Sequence, residues 1–96
     1  LRTLFTPSAR RQYLAAIAYI AEDNPRAATR LNARVASALK RLQKFPSSGR
    51  FVPEFPELPH REILVPPYRF FYRIERDSIW IIAVWHGAQS PRSGHK

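Results

Sequence analysis

The chain has 96 residues and no cysteine, and its 16 Lys+Arg against seven Asp+Glu give a formal net charge of +9. That length fits one domain with a single modest core. The missing cysteine excludes disulfides, thiolate metal sites and a cysteine nucleophile. His60, His86 and His95 lack metal-ligand spacing, and no apolar run reaches the ~18 residues of a membrane span. No metal, cofactor or membrane is therefore expected, and the chain reads as a cytoplasmic protein. Thirteen of the sixteen cations are arginine, and residues 1–44 hold nine basic against two acidic side chains. Such an excess implies an acidic partner, protein or nucleic acid.

Residues 2–6 read as a short N-terminal strand. Thr6-Pro7 is a helix start, a capping hydroxyl followed by proline at the first helical position. Tyr13, Ile17 and Ile20 then recur at i, i+4 and i+7, flanked by Leu14, Ala18 and Ala21, in a helix ending near Asp23. Asn24-Pro25 repeats the start signal. Ala28, Leu31, Val35, Ala38, Leu39 and Leu42 carry the second helix to about Lys44, so the two helices should form an antiparallel hairpin. Residues 45–59 hold four prolines, which excludes a helix or a central strand; Phe45, Phe51 and Phe55 are expected to pack this loop down as a lid.

Three strands follow. Residues 60–65 alternate, Pro66-Pro67 turns the chain, and in residues 68–75 Tyr68, Phe70, Tyr72 and Ile74 oppose Arg69, Phe71, Arg73 and Glu75. Residues 78–86 are apolar on both faces, which suits the middle of a sheet with the N-terminal strand on its free side. A polar tail from about residue 88 is expected to fray. The fold class is α+β, β-αα-βββ: one domain over residues 1–96, a helical hairpin on a small, twisted, mostly antiparallel sheet.

Chemical motifs are sparse. The three glycines leave no phosphate-binding loop, and no nucleophile elbow or zinc-helix motif is present. If the last three strands form a meander, Arg61, Arg69, Arg73 and His86 can approach one another, a set able to clamp a phosphodiester and move a proton. The alternative is an arginine-rich sheet face that binds a partner or water.

Four stretches carry a resemblance: Ala21-Glu22-Asp23-Asn24-Pro25-Arg26-Ala27-Ala28, Phe45-Pro46-Ser47-Ser48-Gly49-Arg50, Tyr68-Arg69-Phe70-Phe71-Tyr72-Arg73 and Trp85-His86-Gly87-Ala88-Gln89. Together, across roughly residues 2–91, they resemble the ParE branch of the RelE/ParE toxin superfamily. The resemblance implies the toxin of a bacterial type II toxin–antitoxin system of the plasmid-stabilisation kind, which arrests growth. ParE-like members are associated with poisoning DNA gyrase, RelE-like relatives with cutting messenger RNA on the ribosome. Arg69 matches the strand arginine that RelE-like nucleases place on the scissile phosphate, but Ile63-Leu64-Val65 and Gln89-Ser90-Pro91 stand where that branch has further basic or aromatic residues. The expectation is a gyrase-inhibiting binding protein rather than an enzyme, with His86 and Gln89 as target contacts; the alternatives are an mRNA endonuclease and a module that only binds antitoxin. The implied partner is an acidic, ParD-like antitoxin that also makes most of the contacts to operator DNA. Its expected docking residues are Arg26, Arg30, Arg34 and Arg41 on the second helix, with Phe51, Phe55, Phe71 and Trp80 as apolar anchors.

Overall fold

A computed structural model gives the fold and describes residues 1–87. In chain order the elements are β1 (Arg2–Phe5), α1 (Pro7–Asp23), α2 (Pro25–Lys44), a 3-10 turn (Pro46–Ser48), β2 (Arg50–Phe51), β3 (Arg61–Val65), β4 (Tyr68–Glu75) and β5 (Ser78–His86). The strands form one sheet in the order β1-β5-β4-β3-β2, with β1 parallel to β5 and every other pair antiparallel. Both helices lie on one face. The core between the layers is built by Leu31, Val35 and Leu42 from α2 and by Phe70, Tyr72, Ile79 and Ile81 from the sheet, with Ala9 of α1 closing it.

The helix starts form as the sequence dictates. Thr6 Oγ1 accepts the Ala9 N–H at 3.2 Å, and Asn24 Oδ1 accepts the Ala27 N–H at 3.1 Å. Asn24 serves both helices, because its own N–H donates to the Ile20 carbonyl at 2.9 Å and closes α1. The hairpin is therefore joined through a single residue. Tyr13 Oη donates to Asn32 Oδ1 across it.

Two expectations need correction. The proline-rich segment is not wholly irregular: Arg50 and Phe51 pair with Glu62 and Arg61, adding a fifth strand at the sheet edge, where proline neighbours do no harm. Nor do Phe45 and Phe51 pack the segment down, for they are 57% and 51% exposed; buried Val52 holds it to the sheet. β5 is also interrupted by an irregularity. Phe71 lies opposite Ala83 but Tyr72 opposite Ile81, so a bulge at Ile82–Ala83 reverses which residues face the helices. The polar tail lies outside the described residues.

Gly49 is required by close approach rather than by its backbone angles. A Cβ there would lie 2.5 Å from Tyr72 Oη and 2.7 Å from the Glu62 carbonyl oxygen. Tyr72, with no exposed surface, donates to the Pro46 carbonyl at 2.6 Å and accepts the Gly49 N–H at 3.0 Å. Gly49→Ala should thus break this fastening and cost ~2 kcal/mol of stability or more, read as a lowered urea midpoint.

Candidate functional site

The sheet face away from the helices carries a buried ion cluster. Arg69 lies opposite Trp85, and Glu62 lies opposite Phe71, so the arginine and the glutamate share that face on neighbouring strands. Arg69 Nε donates to Glu62 Oε1 at 2.9 Å, while its two terminal nitrogens grip Glu54 at 3.0 and 2.8 Å. Arg50 holds the second Glu62 oxygen. The Glu62 side chain is fully buried and that of Arg69 nearly so. The guanidinium carbon also sits 4.9 Å from the centre of the Phe71 ring. Glu54, then Glu62, hold Arg69 above its ordinary pKa, and the same hydrogen bonds pull the Glu54 carboxyl below the usual 4.5.

Arg69 therefore ties the proline-rich segment to the sheet. The Glu54 part of that tie depends on pH. Because the folded pKa of Glu54 is depressed, its contribution is complete above the ordinary carboxylate value and fades as pH falls below it. Urea unfolding between pH 3 and 7 should show Glu54→Gln less stable at neutrality by about 1–2 kcal/mol, with a shallower loss on acidification than the parent.

The other residues of the hypothetical nuclease set do not join Arg69. Arg61 pairs with Tyr72 and so faces the helices, donating to the Ser47 and Gly49 carbonyls at 3.2 and 2.8 Å with its guanidinium 4.2 Å from the Phe51 ring centre. His86 lies opposite Tyr68, ring edge to ring face at 5.5 Å, also on the helix side. Arg73 shares the open face but pairs with exposed Glu75 at 3.0 Å. Gln89 lies outside the described residues. The set is split two and two across the sheet.

The docking candidates are divided as well. Phe55 and buried Phe71 line an apolar recess of about 190 Å³ on the open face, walled by Trp85 and Val52. Trp80 is half-buried on that face opposite Arg73, and exposed Phe51 sits at the sheet edge. Arg26, Arg30, Arg34 and Arg41 are exposed on α2, beyond the core from Phe55, Phe71 and Trp80. A different surface went unnoticed in the sequence. Between α1 and α2 runs a groove of about 280 Å³ with Tyr13, Leu14, Ala36 and Leu39 on its walls and Arg10 and Asn32 among its lining residues. The available signal was Leu14, which sits one residue off the Tyr13/Ile17/Ile20 stripe and is 52% exposed.

Comparison with known proteins decides the family: residues 3–91 match the ParE toxin of type II toxin–antitoxin systems, parDE. The chain belongs to the ParE toxin family. Toxin RelE1 of Caulobacter vibrioides is 33% identical over 90 residues, which is 90% of this chain and 92% of that protein. The Sinorhizobium fredii protein named "Putative toxin Y4kP" is 40% identical over 74 residues, 75% of this chain and 73% of that one. Among solved structures, the chromosomal ParDE system of P. aeruginosa matches with a TM-score of 0.69 over 88% of this chain and 92% of that chain, at 18% identity, which speaks for the fold. Thus the hairpin-on-sheet architecture is that of a ParE toxin. Among the described residues of this ParE-type toxin, no cluster of His, Asp or Glu is placed to hold a metal ion, and no helix is long and apolar enough to cross a membrane.

Proposed function

We propose that this ParE-type toxin acts in the cytoplasm as a binding protein that inhibits DNA gyrase, and that an acidic, ParD-like antitoxin neutralises it. The observation that carries the non-catalytic reading is the split of Arg61, Arg69, Arg73 and His86 between two faces, with Arg69 engaged by Glu54 and Glu62. Contact with the target falls to the end of β5, around His86 and the following Gln89. Gyrase supercoiling assays test this directly. Inhibition, with accumulation of cleaved DNA, is expected at excess toxin, and full supercoiling under those conditions refutes it. The second reading, a ribosome-dependent mRNA endonuclease built on Arg69, is favoured by the name of the Caulobacter relative; codon-specific cuts in primer extension on ribosome-bound message would establish it instead. Harmless overexpression without antitoxin would point to a module that only binds antitoxin.

The α1–α2 groove is our proposed seat for the antitoxin. Its walls offer the apolar anchors that a helix-in-groove partner needs, and Arg10 beside them suits an acidic flank. A segment using both the α2 arginines and the Phe71 recess would have to pass around the sheet.

A further inference from the structure

The charge on α2 is left unexplained by the groove. The helix carries Arg26, Arg30, Arg34, Lys40, Arg41 and Lys44 and no acidic residue. Positions 26, 30, 34, 37, 41 and 44 recur every three or four residues and so wind along one flank, and only Ser37 among them is uncharged. All six are exposed. Among the described residues no carboxylate pairs with Arg26, Arg30, Arg34 or Arg41. The flank lies on the side of α2 away from Asn32, Ala36 and Leu39, which face the groove, so the two surfaces are distinct.

The flank leads toward an aromatic end of the sheet. Arg34 donates to the Pro66 carbonyl at 2.9 Å, which fixes the row against the turn that opens β4 at Tyr68. Tyr68 meets His86 edge to face and lies close enough to Tyr19 of α1 to interact with it electrostatically. Tyr19 is 73% exposed.

We infer that this flank, with the aromatic end at Tyr19 and Tyr68, is a binding surface for a single-stranded polynucleotide. The chemistry selects it over an acidic protein. A stable protein interface needs apolar anchors at its centre. Along Arg26, Arg30 and Arg34 the flank has none, exposed Phe45 and Leu1 lying only at its far end beside Ser37, Arg41 and Lys44, whereas the groove on the opposite side of α2 is built of them. A polynucleotide needs what the flank has: cations in a row about 6 Å apart along the helix, and at its end an exposed ring, Tyr19, on which a base can stack. The exposed ring favours a single strand over a duplex, whose bases are already stacked. The proposal is independent of the gyrase reading and adds the toxin itself to any nucleic-acid contacts that the antitoxin makes.

Fluorescence anisotropy with labelled oligo(dT) and an RNA oligonucleotide of equal length tests it, beside a DNA duplex and poly-glutamate. Binding of the toxin to the single strands is expected, weakening with salt with a log–log slope of about −2 to −3, as three or four phosphate contacts require. Arg26→Glu with Arg30→Glu should weaken it at least tenfold while leaving antitoxin affinity within about twofold, since these side chains are outside the groove. Tyr19→Ala should weaken single-strand binding about fivefold or more and leave duplex binding unchanged. Circular dichroism checks that these surface variants stay folded. No binding at low salt overturns the proposal. So does equal affinity for poly-glutamate, an unaffected Tyr19→Ala variant, or a loss of antitoxin affinity in the double charge reversal, which would assign the flank to the antitoxin.

Discussion

Arg69→Ala should remove about 3–5 kcal/mol of folding stability, a large share of what a domain of this size commands. The substitution leaves the fully buried Glu62 carboxylate with Arg50 alone, whose side chain is 59% exposed, and it removes the Arg69 tie between Glu54 and the sheet. An uncompensated buried charge is the costliest remnant of a broken ion pair. Arg69→Lys should fall between, because an ammonium cannot span two carboxylates with a planar fork. Arg73→Ala, which breaks only the exposed pair with Glu75, should change stability by less than about 0.5 kcal/mol. Urea unfolding of the three variants gives the ranking. If Arg69→Ala keeps its stability within about 1 kcal/mol and still loses toxicity, the arginine acts on the target and its structural role is secondary.

The second large effect is expected in the groove. Leu14→Asp combined with Ala36→Glu places two carboxylates on exposed positions of the groove walls, so the fold should tolerate them. An antitoxin segment that buries apolar side chains there and carries acidic neighbours would meet both desolvation and like-charge repulsion. Its Kd should rise at least a hundredfold, about 2.7 kcal/mol, mostly through faster dissociation. Phe51→Ala, at the far edge of the sheet, should change Kd by less than about threefold. Surface-plasmon kinetics with the cognate antitoxin distinguish the outcomes. A hundredfold loss at Phe55 or Phe71 with none at the groove would move the docking site to the open face.

The parts of the fold written in local chemistry were legible in the sequence. Thr6-Pro7 and Asn24-Pro25 mark the helix starts at the observed residues, and the Tyr68-to-Glu75 alternation marks β4 and its two faces. The place of β1 beside β5 follows from β5 being apolar on both sides, whereas the short edge strand β2 does not. The site was less legible, because pairing decided it. A two-residue turn sets Arg61 opposite Tyr72, which commits that arginine to the helix side. An unbroken ladder continuing from the Arg73–Trp80 pair would leave His86 on the face of Arg69; the extra residue at the bulge carries it to the other side and brings Trp85 there instead. Nothing in Ile81-Ile82-Ala83-Val84 announces that extra residue. Likewise, Glu54 reads as a solvated loop carboxylate until the strand register presents Arg69 to it.

The two walls of the groove are joined at Asn24, which caps both helices at once and leaves no linker between them. With Tyr13 also tied to Asn32 across the gap, the walls have no hinge about which to open or close. A segment that enters thus meets a rigid receptor, and the whole loss of conformational freedom on association falls on the incomer. Affinity should consequently respond to the helix propensity of the entering segment: alanine at its solvent-facing positions should tighten the complex and glycine should loosen it. Comparable stiffening of the toxin hairpin should leave the complex unchanged.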